Sequence, residues 1–388
     1  METSTETEKM EKAMKTKLRV VISGGGTGGH IFPALSIADS LKKANPETEI
    51  LFVGAEGRME MEKVPAAGYR IIALPIAGLM RSLSLSNLAL PFKVLKSVRM
   101  AKKIIREFKP DIAVGVGGYA SAPLLWAAER CGVPTLIQEQ NGFAGLTNRI
   151  LGNRAGRICV AYEGMERFFP EDRIVMSGNP IRECMKPASA MTKEEGVEFY
   201  GLTPGKKHLL IIGGSLGSGT LNESMKKWIS DGCPGGEGID IIWQCGKYYK
   251  KSVDAFMAES SKTQDLSAIH HTDFIGRMDL AYAAADLLVS RSGASSVSEI
   301  CACGKAAVFV PSPNVTEDHQ THNAMALVNR GAGVIVKDSE AVERLMPTVT
   351  ALMKDGEKIA SMEKNSLAMA LPDAAANIVR EIYGLLGK

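Results

Sequence analysis

The chain has 388 residues, 45% of them apolar and 23% charged, with 46 Lys and Arg against 43 Asp and Glu. A length beyond about 300 residues calls for two domains rather than one core, and this composition excludes a disordered or supercharged chain. A net charge of +3 excludes nucleic-acid binding through bulk charge, and no run reaches the roughly 18 apolar residues of a membrane-crossing helix.

Residues 1–17 hold four Glu and four Lys with no apolar core, so a disordered, solvated tail is expected and not a secretory signal. LRVVI (18–22) reads as a buried strand that runs into SGGGTGGH. A helix then opens near Ile31 with Pro33 in its first turn, where proline is tolerated. Further strands are expected at EILFVG (49–54), DIAVGVGG (111–118), PTLIQEQ (134–140) and RICVAY (157–162). The breakers Gly178, Pro180 and Pro187 mark 177–190 as a linker. The opening theme then repeats. HLLII (208–212) leads into a glycine turn and a helix with Leu221, Met225 and Trp228 on its apolar stripe, followed by strands at IDIIWQCG (239–246), ADLLVSRSG (285–293) and AAVFVPSP (306–313). A terminal helix covers Ala374 to Leu386. Strands alternating with helices predict α/β architecture, with two doubly wound, Rossmann-like parallel-sheet domains. The seven cysteines form no paired metal framework and read as reduced thiols.

Both glycine turns let the backbone approach a ligand while the next helix directs N–H groups at it. The first, Gly24 to Gly29, fits G-x-G-x-x-G, yet Glu56 is a poor ribose acid, which argues against a nicotinamide enzyme. The second, Gly213 to Ser218, lacks the Lys of an ATP-binding loop. SRSGASSVSEI (290–300) reads as strand, turn and helix, with Ser292 or Ser295 as cap. Glu299 in its second turn is either a ribose ligand or a solvated helical acid. His319 and His322 have no third ligand nearby, so no metal site is expected. His30 stands at a helix start, whose dipole favours the neutral imidazole. It is a candidate proton acceptor, with a capping or packing role as the alternative.

GGTGGHIFPALSIA (25–38), GVGGYASAP (115–123), QEQNGFAGLTNRIL (138–151), GNPIR (178–182), GGSLGS (213–218), SRSGASSVSEI (290–300) and EDHQTHNA (317–324) occur in this order. Over residues 18–385 the chain thereby resembles the MurG family, the undecaprenyldiphospho-muramoylpentapeptide β-N-acetylglucosaminyltransferases of bacterial peptidoglycan synthesis. The resemblance implies a GT-B fold with an interdomain cleft. It implies transfer of GlcNAc from UDP-GlcNAc, with inversion, to the C4 hydroxyl of undecaprenyl-linked MurNAc-pentapeptide (lipid I), giving lipid II. No cofactor is implied and no obligatory metal, since no Asp-x-Asp motif stands in the matching places. The alternative within GT-B enzymes is a glycolipid synthase or a UDP-GlcNAc epimerase.

The same resemblance implies an acceptor-binding, membrane-associated domain over 18–176 and a UDP-GlcNAc domain over 191–370. The 371–388 helix is expected to pack back on the first domain. On the donor side it implies Ser215 and Arg182 at the diphosphate, Phe274 and Ile275 at uracil, and Arg291, Ser292, Gly293 and Ala294 under the phosphates. Glu299 would hold the ribose and Gln320 the sugar hydroxyls, supported by Asn323. Thr27, Gly28, Gly29, His30 and Asn141 would border the donor from the first domain. On the acceptor side it implies Gly26, Thr27, Gly117, Gly118 and Tyr119, with His30 as general base and Glu139 as its rival.

From Lys63 to Arg106 there are nine basic residues and no acid between them, while the rest of the chain carries more acids than bases. Apolar side chains ringed by bases make an interfacial anchor, and a solvated basic helix face is the plainer reading. A lipid acceptor favours the anchor. The expected patch comprises Ile76, Leu79, Met80, Leu83, Phe92, Arg81, Lys93 and Lys96 on anionic lipid, at the cytoplasmic face of the inner membrane. No nucleic-acid partner is expected.

Overall fold

A computed structural model describes residues 17–76, 90–185, 191–214 and 216–387. The chain divides into two units, Met1–Ile181 with Pro372–Lys388, and Arg182–Leu371. The division falls inside the 177–190 stretch.

The first unit contains β1 (Arg19–Gly24), β2 (Glu49–Ala55), β3 (Arg70–Leu74), β4 (Ile112–Gly117), β5 (Thr135–Glu139), β6 (Arg157–Val160) and β7 (Ile174–Met176). They form one sheet in the order β3-β2-β1-β4-β5-β6-β7, and every pairing is parallel. Both faces are covered, so the central strands are apolar on alternate residues to each side. Val20, Ile22, Val114 and Val116 pack with Ile37 and Leu41 of the helix Gly28–Ala44, and with Ile378, Val379 and Ile382 of the helix Ala374–Leu385. Val21, Ala113 and Ile137 pack on the other face with Ala101, Ile104, Leu124 and Ala128. The last helix is tied down further: Glu381 pairs with Arg157 at 3.2 Å, and Asn377 Nδ2 donates to Ser177 O at 3.3 Å.

The second unit contains β8 (Lys207–Ile212), β9 (Ile239–Gln244), β10 (Ile269–Thr272), β11 (Leu287–Ser290), β12 (Ala307–Phe309) and β13 (Gly333–Ile335). The order is β10-β9-β8-β11-β12-β13, again all parallel. Leu221, Met225 and Trp228 are buried in its core beside Trp243, the stripe expected from their spacing.

Two sequence expectations need correction. The first helix begins at Gly28, not near Ile31, because Thr27 is extended and serves as its N-cap. Pro33 is therefore its sixth residue, in the second turn, and the Gly29 carbonyl loses its usual partner. Four strands, β3, β7, β10 and β13, were not expected, and these are the edges of the two sheets.

Candidate active site

A doubly wound sheet binds ligands beyond the carboxyl ends of its strands, where the strand order reverses. In the first unit that point lies between β1 and β4, and both strands end in glycines. Gly25 N–H donates to Gly117 O at 3.3 Å. A Cβ on Gly118 (φ +90°) would lie 2.4 Å from Gly25 O, and one on Gly117 (φ +103°) would lie 2.6 Å from His30 Cδ2 and 2.8 Å from its Nε2. Glycine at 117 is therefore the room in which the His30 ring sits. His30 Nδ1 is 3.0 Å from Gly25 O and 3.3 Å from Thr27 Oγ1. A carbonyl only accepts, so Nδ1 carries the proton, and in the neutral form of the ring the lone pair is then on Nε2. That is the tautomer a general base requires. Tyr119 stands on the same turn, 46% exposed.

Glu139, at the end of β5, is 2% exposed. Its Oε1 accepts from Asn141 N at 3.1 Å and Asn141 Nδ2 at 3.3 Å. Its Oε2 accepts from Gly145 N at 3.1 Å and Asn148 Nδ2 at 2.9 Å. Burial pushes this carboxyl above the usual range, and the four N–H bonds only partly oppose it. The arrangement clamps the 139–148 loop, and Asn141 is held by it. Beneath lies a buried amide network. Gln138 Nε2 donates to Asn179 Oδ1 at 2.9 Å, Asn179 Nδ2 to Gln140 O at 2.9 Å, and Gln140 Nε2 to Val116 O at 2.7 Å. It ties the GNPIR segment to the end of β4.

The expected lipid patch is only partly described, since Leu79, Met80, Arg81 and Leu83 lie outside the described residues. Ile76 does not belong to it: it is buried against Leu74, Ala101 and Ile104 because it directly follows β3 into the core. Phe92 is 77% exposed at the start of the helix Leu90–Phe108, and Val94 and Leu95 are exposed beside Lys93 and Lys96. Among the described residues, no helix is long and apolar enough to cross a membrane.

In the second unit the order reverses between β8 and β11. The glycine turn after β8 leads into the helix Gly219–Ser230, capped by Ser218, whose Oγ accepts from Leu221 N at 3.4 Å. Ser215 lies outside the described residues. Arg291, at the start of the 291–294 turn, has its side chain bonded within the unit. It donates to Ser218 Oγ at 2.6 Å and to Val310 O at 2.9 Å, and it pairs with Asp338. It fixes the glycine turn against the ends of β11 and β12.

The helix Ala294–Ala302 follows β11, with Gly293 as N-cap and no side-chain cap. Neither Ser292 nor Ser295 caps it. Ser292 Oγ instead donates to Gln320 O at 2.8 Å, and the Ser295 Oγ is buried without a partner. Asn323 Nδ2 donates to Ser292 O at 3.2 Å, and Gln320 Oε1 accepts from Ser312 N at 2.9 Å. These bonds seat the EDHQTHN segment on the turn 291–294. Its first two residues, Glu317 (φ +54°) and Asp318 (φ +49°), are two successive left-handed non-glycine residues, the kind of strain that gathers at ligand sites.

Glu299 is not a solvated acid: its side chain is 8% exposed. Arg182 meets it in a fork, Nε to Oε1 and Nη2 to Oε2, both at 2.7 Å. This pairing holds the Arg182 proton more firmly than usual, and the nearby Tyr282 hydroxyl is pushed up by burial and by the Glu299 charge. Arg182, expected at a diphosphate, thus stands on the carboxylate expected at the ribose. Ile275 is buried and Phe274 is 60% exposed at the turn after β10. Among the described residues, no three His, Cys, Asp or Glu side chains are grouped to hold a metal ion, and all seven cysteines are unpaired thiols.

Sequence reasoning missed Glu60, which is 1% exposed and grips the first glycine loop, with Oε2 accepting from Gly26 N at 2.8 Å. It missed Asn148, Gln138 and Asn179 as well. The one local signal for Glu60 was an acid five residues past the end of β2. It lies beyond Glu56, the residue weighed as a ribose acid.

Comparison with known proteins gives the family and the fold. Residues 20–160 match the glycosyltransferase family 28 N-terminal domain, and residues 208–378 match the family 28 C-terminal domain. The chain is 51% identical, over 96% of its length and 99% of the relative's, to the UDP-N-acetylglucosamine--N-acetylmuramyl-(pentapeptide) pyrophosphoryl-undecaprenol N-acetylglucosamine transferase of Parabacteroides distasonis. The crystal structure of Acinetobacter baumannii MurG is similar to it at 28% identity with a TM-score of 0.76, covering 95% of this chain and 99% of that one. A UDP-N-acetylglucosamine 2-epimerase, 14% identical with a TM-score of 0.62 over 95% of each chain, shares the fold alone. The two doubly wound units are those of a GT-B protein, and the chain belongs to the UDP-N-acetylglucosamine--N-acetylmuramyl-(pentapeptide) pyrophosphoryl-undecaprenol N-acetylglucosamine transferases of glycosyltransferase family 28.

Proposed function

We propose that this chain transfers N-acetylglucosamine from UDP-GlcNAc to the C4 hydroxyl of lipid I, forming lipid II. Family membership supplies the substrates, and the observation that carries the chemistry is His30. Its Nδ1 is bonded to Gly25 O, which places the lone pair on Nε2 beside Gly117. His30 Nε2 takes the proton of the C4 hydroxyl as that oxygen attacks the anomeric carbon. The new C–O bond forms as the bond to the UDP phosphate oxygen breaks, so the centre inverts. A positioned base contributes about 10²–10⁴ to the rate. Glu139, with four N–H donors around its carboxylate, holds the loop and Asn141 instead.

The second unit holds the donor. Glu299 accepts from the ribose hydroxyls, and Ser292, Gly293 and Ala294 open a helix whose first N–H groups face the diphosphate. Such donors neutralise the leaving group, and we assign no obligatory metal to the reaction. Phe92, Lys93 and Lys96 dock the protein on anionic lipid at the inner face of the membrane, where the acceptor resides. Incubation of labelled UDP-GlcNAc with a lipid I analogue, with EDTA present, should carry label into the lipid fraction. Label that stays water-soluble, with UDP binding intact, contradicts the proposal.

A further inference from the structure

Glu60 opens the helix Glu60–Ala66, yet its carboxylate does not serve that helix. It turns back beneath the first glycine loop, where Oε2 accepts from Gly26 N at 2.8 Å and Oε1 from Ala55 N at 3.0 Å. The space is made for it. A Cβ on Gly25 would lie 2.2 Å from Glu60 Oε1, and one on Gly54 would lie 2.6 Å from Glu60 Cγ. The Gly26 N–H and the Gly25 C=O belong to one peptide group, and that same carbonyl accepts from His30 Nδ1 at 3.0 Å.

We infer that Glu60 is a positioning residue for His30, acting through the Gly25–Gly26 peptide. A carboxylate on the N–H end polarises the amide and strengthens its carbonyl as an acceptor, since hydrogen bonds in a chain reinforce one another. The stronger acceptor fixes the Nδ1–H tautomer and makes Nε2 more basic. The arrangement does what a carboxylate bonded directly to a histidine does, with one peptide inserted between them. It also explains why this G-x-G-x-x-G loop is not a dinucleotide site: a carboxylate already stands at the amide that a pyrophosphate would seek. The other charged or titratable groups on the elements around the loop include Glu56 and Arg58, both exposed on the turn before Glu60, Glu62 and Lys63, exposed on the Glu60 helix itself, and Tyr119 on the facing turn. Asp39, further along the His30 helix, accepts from Tyr69 OH.

The inference rests on His30 being the base, so its test has a readout that does not depend on turnover. In the wild-type chain, nitrogen NMR of His30 should show neutral imidazole protonated at Nδ1. In folded Glu60→Gln the His30 titration midpoint should fall by about 0.5–1 unit, a threefold to tenfold loss of proton affinity. The acid limb of kcat/KM should move down with it, kcat should fall about tenfold, and KM for UDP-GlcNAc should not change. A wild-type Nε2–H tautomer overturns the inference, whether or not the variant folds. So does an unshifted His30 midpoint in a variant that melts like wild type. If His30→Ala keeps its turnover while the midpoint still shifts in Glu60→Gln, the base assignment fails and the Glu60 relay stands.

Discussion

Glu139 separates two readings of the first unit, and a pair of substitutions tells them apart. Each carboxylate oxygen accepts two N–H bonds. Glu139→Ala removes the shared acceptor of all four donors, of which the Asn148 amide is buried and the Asn141 and Gly145 groups are part-exposed, and at up to about 1 kcal/mol each the loss is at most about 4 kcal/mol. For a unit of this size that lowers its Tm by at most roughly 8–16 °C. Glu139→Gln keeps one oxygen with its two donors. At the other position its NH2 meets Gly145 N–H and Asn148. The Asn148 amide can turn to offer its unpartnered Oδ1 at the expense of the long Nδ2 bond to Gln138 O at 3.5 Å, and a mismatch remains at Gly145. Glutamine also avoids burying a charge, so its cost is about 1–2 kcal/mol. The clamp reading therefore predicts Glu139→Gln within about tenfold of wild-type kcat, and Glu139→Ala impaired through stability. Because burial raises the Glu139 carboxyl, its contribution is fully present below the unfolded value of about 4.3 and is lost as pH rises through the folded value. The advantage of wild type over Glu139→Gln should shrink over that rise. Thermal melts from pH 4 to 8 and steady-state transfer rates make the test. Glu139→Gln with wild-type melting and a kcat loss of 100-fold or more, as expected of a lost base, would refute the clamp.

Gly117→Ala should cost both fold and function. Its φ of +103° disfavours a side chain, and the new Cβ lies 2.6 Å from His30 Cδ2. About 1–3 kcal/mol of stability and most turnover should go, and a variant of wild-type kcat would show that the ring is not seated there. Glu299→Ala removes a charged acceptor worth about 1.5–3 kcal/mol, so calorimetry should show UDP binding weakened about 10- to 100-fold. Unchanged affinity would remove the ribose role. Lys93→Ala with Lys96→Ala should weaken binding to anionic vesicles about 30-fold, at up to about 1 kcal/mol per base, and equal binding of wild type to neutral and anionic vesicles would contradict the lipid patch.

What could be read in the sequence was what local pattern encodes. The nine strands recognised there are the interior ones, covered on both faces and so continuously apolar. The four missed are the sheet edges, where Arg70 opens β3 and His270 and His271 stand in β10. Polar residues interrupt β10, and β7 and β13 are three residues long, too short to identify a strand from pattern. The glycine loops were legible because a reversed strand order needs close backbone approach at both Gly25 and Gly118, and only glycine provides it. The groups that hold those loops were not. Glu60 is 34 residues from Gly26 and Arg291 is 73 from Ser218. Such contacts exist only once parallel strands have brought distant turns together. Ile76 failed for the opposite reason, as an apolar residue in a basic stretch whose burial is decided by β3, a strand the sequence did not show.

The most direct measurement is single-turnover transfer from UDP-GlcNAc to lipid I by wild type and His30→Ala, with both substrates saturating and UDP affinity measured alongside. Wild type should form the lipid-linked disaccharide with a β bond at C4, and His30→Ala should do so at least about 100-fold more slowly at unchanged UDP affinity. Absence of the disaccharide with wild type, or turnover of His30→Ala near the wild-type rate, would contradict the account.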